Sequence, residues 1–353
     1  MYSPKYSITN DILRHIGEIE AAKELIENAP LVPSFEKQFQ SDAVIRTVHH
    51  GTHIEGNDLT FLQTKKVLEG ETVMARARDI QEVVNYRNVV GFLDELAKTP
   101  NYSETDLKEI QARVVERIVE TSKIGMFRTT SVVIKNEDTG EVILRPPAFF
   151  DVPFLVSEFL SWLNSPVARE IHPILKAGVT HYIISAIHPF IEGNGRTARS
   201  FANLVLIKDG FDIKKFFALE EHFDADPGIY YQAFSEVDKT GEKVFDRDLT
   251  AWLAYFTRVV AVELVKIKEK VKRLSLDSRL KLKIGRQIPL SERQMRIVEY
   301  ITDQGGVGMA TLKSVLRMVS EDTILRDVRD LVDKGILKKQ GSTKAARYII
   351  ASK

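Results

Sequence analysis

The sequence predicts a mainly α-helical protein. Through most of the 353 residues, apolar side chains recur every three or four positions, which is the spacing of one face of a helix. Extended, strand-like runs occur in only two places, at SVVIK with EVILR in the middle of the chain and at ILKKQ with ARYII near the C-terminus. Because a chain of this length usually folds as about two or three domains, we expect a helical core with one β-hairpin and a small C-terminal domain.

The composition excludes several classes of protein. Lys and Arg number 50 against 49 Asp and Glu, so the chain lacks the positive charge of a protein that coats nucleic acid, and any polyanion site must be local. It contains no cysteine, which excludes disulfides, thiolate zinc sites, iron–sulfur clusters and a cysteine nucleophile. The start, MYSPKYSITN, does not resemble a signal peptide, and no apolar run is long enough to span a membrane. We therefore expect a cytoplasmic protein.

Helices are predicted along the N-terminal part of the chain. Isoleucines on one face mark the first helix, which should end at Pro30. Thr60 and Ser103 are suitable N-caps for later helices, and Asp106 lies three residues after Ser103 as in a capping box. The helices predicted after the first cover residues 34–50, 60–68, 80–96 and 103–119.

A β-hairpin is predicted at residues 131–145. SVVIK and EVILR are separated by turn residues from Asn136 to Gly140, and Pro146 and Pro147 should end the second strand. Helical spacing then resumes, and Pro189 should end one of these helices at or near His188. The predicted helices after the hairpin cover residues 152–163, 174–188, 196–210, 230–237 and 249–262.

The C-terminal part differs in composition. From Glu263 to Arg286, Lys alternates with apolar residues, which indicates a long exposed helix or connector. From Pro289 the pattern predicts three helices and two short strands, and this order resembles a winged helix-turn-helix domain. Such a resemblance implies DNA binding, but the third helix carries Glu321, Asp322, Asp327 and Asp330. A protein target or a second subunit is therefore an equal alternative.

Residues 188–199, HPFIEGNGRTAR, combine the features of a phosphate site with a proton acceptor. Gly193 and Gly195 allow successive N–H groups to face an anion, and a helix that begins at Arg196 adds its positive dipole end. Arg196 and Arg199 are three residues apart and therefore lie on one face. Glu192 is a hard oxygen ligand that suits Mg²⁺, and His188 is the residue type that best accepts a proton near neutral pH.

This run matches every position of the Fic-family motif, H-x-F-x-[D/E]-G-N-G-R-x-x-R, and the chain resembles that family. The resemblance implies transfer of AMP from ATP to a Ser, Thr or Tyr hydroxyl of a protein, with release of pyrophosphate. It implies His188 as general base, Glu192 as the Mg²⁺ ligand and Phe190 as a buried anchor. The implied nucleotide-binding residues are Gly193, Asn194, Gly195, Arg196, Arg199 and, on the adenine side, Tyr231.

The resemblance also assigns a role to the hairpin and suggests an oligomer. EVILRPP is similar to the family's flap, which docks an extended protein substrate by strand addition.

Asp238 stands where many relatives have Asn, and the aromatic residues around Tyr231 could equally be core. Gly193, Gly195 and Ala198 also fit a dinucleotide-binding fingerprint, but that fingerprint must follow a strand, whereas a helix is predicted here.

THIEGN at 52–57 resembles the family's N-terminal inhibitory motif, [S/T]-x-x-x-E-[G/N]. The resemblance implies that Glu55 pairs with Arg199 and displaces the γ-phosphate. The match is imperfect, because Gly51 occupies the Ser/Thr position and Thr52 comes one residue late. The alternative is that Glu55 lines a solvated loop. The nearby histidines His49 and His53 could share a helix face, but no third metal ligand is evident.

Two functions remain from the sequence. The leading hypothesis is an AMP transferase that uses ATP and Mg²⁺ and is autoinhibited by Glu55. The alternative is a DNA-binding regulator whose Fic core senses nucleotide, or an enzyme that removes AMP. The predicted domains are an N-terminal helical region with the inhibitory segment at 1–100, a catalytic core at 101–262, a connector at 263–288 and a winged helix-turn-helix domain at 289–353.

Overall fold

The structure, a computed structural model, describes residues 2–31, 33–135, 142–284, 290–316, 319–341 and 346–351. The chain divides into two compact units. The first contains the chain up to Glu27 together with Glu36–Ile267, and the second contains Asn28–Phe35 with Lys268–Lys353. Helices dominate both, as the sequence predicts. In the described part of the chain, no helix is long and apolar enough to cross a membrane.

The first unit begins with five helices. Pro33 occupies the first position of the second helix, where its missing N–H is no loss. The Thr60 cap and the Ser103 capping box with Asp106 are confirmed. These helices are α1 (Asn10–Asn28), α2 (Pro33–His53), α3 (Phe61–Leu68), α4 (Ala77–Leu96) and α5 (Glu104–Val114).

Helix α5 is shorter than predicted. It ends at Val114 rather than at residue 119, because the Asn85 side chain donates hydrogen bonds to the carbonyls of Val114 (3.1 Å) and Glu116 (2.7 Å). Those carbonyls then serve a tertiary contact instead of a further helical turn. The sequence could not show this, since the competing donor lies on α4.

The predicted hairpin is confirmed in its two strands, β1 (Ile134–Lys135) and β2 (Val142–Leu144), which pair antiparallel with Ile134 opposite Leu144. Its predicted turn, Asn136 to Gly140, lies outside the described residues. The helices after the hairpin are α6 (Val152–Leu163), α7 (Pro166–Arg169), α8 (Pro173–Ile187), α9 (Asn194–Lys208), α10 (Glu220–Ala225), α11 (Pro227–Asp238) and α12 (Thr250–Ile284).

Helix α8 is the centre of the first unit. Thirteen of its fifteen residues are buried, so its apolar surface covers all sides rather than one stripe. At Gly178 a Cβ atom would lie only 2.8 Å from Leu253 Cδ2, and the Gly178 carbonyl accepts a hydrogen bond from Trp252 Nε1 (2.7 Å). Glycine therefore lets α12 approach closely, while α9 packs along another side of α8.

From residue 290 onward, the described part of the second unit contains three helices and a three-stranded antiparallel sheet. The helices are α13 (Glu292–Gln304), α14 (Met309–Val315) and α15 (Glu321–Asp333), and the strands are β3 (Val307–Gly308), β4 (Leu337–Gln340) and β5 (Arg347–Ile350). The sheet order is β3–β5–β4. The predicted helices and the last two strands are present. Strand β3 is an addition, because two residues are too few to show an alternating pattern.

Candidate active site

The loop between α8 and α9 is held in one conformation by its own side chains. His188 ends α8 in the left-handed region (φ 51°, ψ 60°), and Gly193 precedes α9 at φ 78°. The Asn194 side chain accepts from the Phe190 N–H and donates to the Phe190 carbonyl, both at 2.9 Å. Phe190 is fully buried. The Asn194 side-chain amide is therefore occupied by the loop itself.

Two positions in the loop accept only glycine. A Cβ at Gly193 would lie 2.8 Å from Val115 Cγ1 and 2.9 Å from Val114 Cγ1, and its positive φ also disfavours other residues. A Cβ at Gly195 would overlap the carboxylate of Glu55. The first turn of α9 is thus open to close approach from one side, and Glu55 lies on that side.

Arg196 and Arg199 are buried cations on α9, 1% and 4% exposed. Arg199 donates to Glu55 Oε1 and to the Gly51 carbonyl, each at 2.9 Å. Arg196 Nε and Nη1 and Arg199 Nε have no hydrogen-bond partner among the described residues. Buried donors without partners are costly, so three unused N–H nitrogens beside the N-terminus of α9 leave a positive site that an anion would satisfy.

Glu55 projects from the turn that follows α2. Its N–H donates to the Thr52 carbonyl (3.0 Å), and Gly56 follows at φ 89°. The side chain is 27% exposed. Burial raises the pKa of Glu55, but the charges of Arg199 and Arg196 outweigh it and leave the pKa below its ordinary value. Glu55 is therefore ionised at neutral pH and neutralises Arg199.

His188 is neutral at physiological pH. Its pKa is lowered to about 4, mainly by burial and to a smaller extent by the charge of Arg128, against the opposing effects of the Ser185 backbone hydrogen bond and the charge of Glu55. An imidazole without its proton can accept one from a hydroxyl. The position at the end of α8 was predicted from Pro189, and the low pKa could not be read from the sequence.

Arg128 is a structural residue that the sequence analysis missed. Only 4% exposed, it donates from Nε to the His188 carbonyl (2.8 Å) and from Nη2 to the Pro147 carbonyl (2.6 Å). Its backbone N–H donates to the Pro189 carbonyl (2.9 Å). Arg128 thereby ties the end of the hairpin segment to His188. A single Arg in GMFRTT gives no pattern that would have predicted this.

Glu192 is the acidic residue next to the loop. Its side chain is 37% exposed and lies 3.3 Å from Arg78 Nη2 and 3.7 Å from Arg196 Nη2. Its carbonyl accepts from Gln111 Nε2 (3.2 Å). Within the described ranges, no group of three or more His, Cys, Asp or Glu residues could hold a metal. A single accessible carboxylate suits only a cation such as Mg²⁺ that takes its other ligands from phosphates and water.

Residues 101–206 match the Fic/DOC family model. This part of the chain is a Fic domain. A protein from Drosophila grimshawi named Protein adenylyltransferase Fic is 32% identical over 183 residues, which are 50% of this chain and 35% of that protein. The protein of the same name from Culex quinquefasciatus is 28% identical over 217 residues, 58% of this chain and 41% of that protein. This chain thus spans well under half the length of these relatives.

The fold is shared with solved Fic structures. A Fic family protein from Desulfovibrio desulfuricans G20 superposes with a TM-score of 0.64 at 20% identity, covering 100% of this chain and 99% of that one. A Fic domain containing signaling protein from Bacteroides thetaiotaomicron gives 0.60 at 20% identity over 75% of this chain. At such identities the likeness shows the fold alone.

The residue that departs from the inhibitory motif has a structural explanation. A Cβ at Gly51 would overlap the ring of Tyr86 and lie 3.2 Å from Glu220 Cγ. The Ser or Thr of the motif has no space at this position. Thr52 instead donates its hydroxyl hydrogen bond back to the Val48 carbonyl (2.9 Å) within α2. The helix therefore continues through Gly51, and the Arg199 guanidinium reaches the Gly51 carbonyl.

The aromatic residues beside the Fic domain divide into core and surface. Tyr230 is buried and hydrogen-bonded to His181 Nε2 (3.0 Å), whereas Tyr231 is 37% exposed. Burial and the charge of Glu55 raise the pKa of Tyr231 to about 12. Asp238 accepts from the Tyr182 hydroxyl (2.6 Å) and pairs with Arg247 (2.7 Å), so its carboxylate serves an internal contact. Of Tyr230, Tyr231 and Asp238, Tyr231 is the one whose side chain is exposed to a ligand.

The histidines at the end of α2 have protein partners. His49 Nδ1 lies 3.2 Å from the Thr64 hydroxyl, and burial lowers the pKa of His49 to about 4. His50 and His53 each place Nδ1 2.7 Å from a different oxygen of Asp224. These contacts use one ring nitrogen of each histidine, and among the described residues no group of three or more His, Cys, Asp or Glu could hold a metal, so the cluster favours packing over a metal site.

Proposed function

We propose that this protein transfers AMP from ATP to a hydroxyl group of a protein substrate. The observation that carries the proposal is the set of unused N–H groups on Arg196 and Arg199, which lie beside the glycine loop and the N-terminus of α9. The donors, the dipole and the two cations suit a triphosphate. The name of the relatives, Protein adenylyltransferase Fic, favours AMP transfer over nucleotide sensing alone.

The chemistry follows from the neutral state of His188. The substrate hydroxyl loses its proton to the imidazole as its oxygen forms a bond to the α-phosphorus. The bond between the α-phosphorus and the bridging oxygen breaks, and pyrophosphate leaves with that oxygen. Arg196 and Arg199 stabilise the negative charge on the leaving group. Tyr231 contacts the adenine side of the nucleotide, and the backbone of Gly193, Asn194 and Gly195 surrounds the phosphates.

Glu192 is the residue that would hold Mg²⁺. Its carboxylate is accessible, and the ion would neutralise part of the triphosphate charge when bound. Arg78 and Arg196 pair with Glu192 in the structure, so these pairs must loosen when the ion binds.

The hairpin β1–β2 is proposed to dock the protein substrate. Two short strands offer an edge to which an extended segment can add by backbone hydrogen bonds. Because Arg128 joins the Pro147 and His188 carbonyls, a segment docked on the hairpin has a fixed relation to the base.

Glu55 is proposed to inhibit the reaction. Its carboxylate neutralises Arg199 and covers Gly195, the position that a phosphate needs to approach. ATP can bind the loop in this state only by displacing Glu55 or by leaving its γ-phosphate without a partner.

The second unit is proposed to be a winged helix-turn-helix module that recruits a partner. On α15, Asp327 contacts Arg293 and Asp330 contacts Gln294, so these two acids face the unit itself. The exposed charged residues of α15 are three acids and two bases, Glu321, Asp322, Asp333, Arg326 and Arg329. Exposed cations lie on the strands, at Lys338, Lys339 and Arg347. DNA binding through the strands, or a protein partner or second subunit in a cytoplasmic setting, would use that surface.

The transfer is tested with ATP labelled at the α-phosphorus and Mg²⁺. We expect label on protein with Glu55→Gly and little with the unmodified chain. The double variant Glu55→Gly/His188→Ala should give none, because the base is absent. Equal labelling of all three proteins would contradict both the inhibitory role of Glu55 and the role of His188.

A further inference from the structure

Glu82 is a buried carboxylate beside the site, and the proposed function gives it no role. It lies on α4 and is 4% exposed. A buried carboxylate must be paired with hydrogen-bond donors or cations. Each of its two oxygens has separate partners: one contacts the turn that carries Glu55, and the other contacts Arg78 and lies near Arg196.

One oxygen holds the turn that carries Glu55. Glu82 Oε2 accepts a hydrogen bond from Asn57 Nδ2 at 2.9 Å. Asn57 follows Glu55 by two residues and is 2% exposed, and its Oδ1 accepts from the Leu59 N–H at 3.1 Å. The side chain of Asn57 thereby joins the inhibitory turn to α4 through Glu82.

The other oxygen faces an arginine of the phosphate site. Glu82 Oε1 accepts from Arg78 Nε at 3.1 Å and lies 3.6 Å from Arg196 Nη1. At that distance the contact with Arg196 is electrostatic rather than a hydrogen bond. This agrees with the missing hydrogen-bond partner of Arg196 Nη1 in the described structure.

We propose that Glu82 is a second restraining carboxylate, which competes with a triphosphate for Arg196 as Glu55 does for Arg199. Through Asn57 it also holds the turn that presents Glu55. The inference rests on the proposed function, because it takes the anion at Arg196 to be the triphosphate of ATP. The two carboxylates then act together: one neutralises each arginine, and Asn57 connects them.

The test measures nucleotide binding without transfer. Isothermal titration calorimetry on the full chain in the presence of Mg²⁺ would measure the affinity for two ligands. One is an ATP analogue that carries a methylene group between the α- and β-phosphorus, and the other is AMP. Removing one negative charge beside Arg196 with Glu82→Gln should tighten binding of the analogue about tenfold and of AMP less than about twofold. Glu95→Gln, an exposed carboxylate on the same helix, is the matched control and should change neither.

A second variant separates the two oxygens. Asn57→Ala should tighten binding of the analogue about threefold when Glu55 is present, and should add nothing when Glu55→Gly has already removed the carboxylate from the turn. Glu82→Gln should keep its effect in the Glu55→Gly background, because its contact with Arg196 does not pass through Glu55. A purely structural role of Glu82 would change the affinities for the analogue and for AMP by the same factor.

The inference is overturned if Glu82→Gln leaves the analogue affinity unchanged or weakens it, or if AMP changes equally. If Glu82→Gln does not fold, as judged by circular dichroism, Asn57→Ala decides: an unchanged analogue affinity with Glu55 present overturns the inference. Failure of the proposed function is distinct, because the Glu55→Gly protein would then bind the analogue no more tightly than AMP.

Discussion

Replacing Glu55 should increase the affinity for ATP, and the structure sets the size of the effect. Glu55 Oε1 and Arg199 Nη2 are 2.9 Å apart, and Arg199 is 3% exposed at its side chain. With charge centres about 4 Å apart and an effective dielectric of about 20, the pair is worth about 4 kcal/mol, or a factor of about 1,000 as an upper limit. Because Glu55 is 27% exposed, solvent screens part of this energy. We expect Glu55→Gly to tighten ATP binding by about tenfold to a hundredfold.

Glu55→Gln separates charge from shape in the same assay. The amide keeps its atoms over Gly195 but no longer neutralises Arg199. Calorimetry with Mg²⁺ and the non-transferable ATP analogue should therefore show the tightest binding for Glu55→Gly, weaker binding for Glu55→Gln and the weakest binding for the unmodified chain. The reasoning is refuted if neither variant changes the affinity by more than about twofold, or if AMP binding changes as much as that of the analogue.

Three further predictions concern the loop and its base. Asn194→Ala leaves the Phe190 N–H and carbonyl without partners, so the free energy of unfolding from urea titration should fall by about 3 kcal/mol; an unchanged midpoint would show that the loop does not need this side chain. Arg128→Met should reduce single-turnover transfer at least about tenfold but leave nucleotide affinity within about twofold, since Arg128 holds the His188 carbonyl rather than the nucleotide; equal loss of both would contradict this. The pKa values of His188 and His49 are lowered from 6.5 to about 4 in the folded chain. As the pH falls, the unfolded chain therefore binds these protons before the folded chain does. Stability should be full above about pH 6.5 and fall towards pH 4, by up to about 3 kcal/mol for each histidine, and His49→Gln should reduce that fall in melting temperature against pH.

Much of the fold is visible in the sequence because its signals are local. Helical periodicity, the Thr60 and Ser103 caps and the prolines at helix ends all act within a few residues. Errors arose where a distant side chain decided the outcome. Helix α5 stops early because Asn85 on α4 takes its carbonyls, and α2 continues to His53 through Gly51, a position where Tyr86 leaves space only for glycine.

The candidate site likewise contains residues that a local motif predicts and residues that depend on distant contacts. The motif at 188–199 contains the glycines, the arginines and the histidine in order, so their proximity follows from one turn and one helix start. The contributions of Arg128, Glu82 and Asn57 depend on contacts between residues far apart in sequence, and although Asn57 ends the THIEGN run, that run does not predict its contact with Glu82. The pKa of His188 depends on its burial, which no local pattern reports.

The most direct test of the proposed reaction is to follow both ends of ATP at once. The Glu55→Gly protein would be incubated with Mg²⁺ and with ATP labelled at either the α- or the γ-phosphorus, while released pyrophosphate is counted. The account predicts protein label only from the α-position, with one pyrophosphate released for each AMP transferred and no label after His188→Ala. Label from the γ-position, or AMP transfer that survives loss of His188, would contradict it.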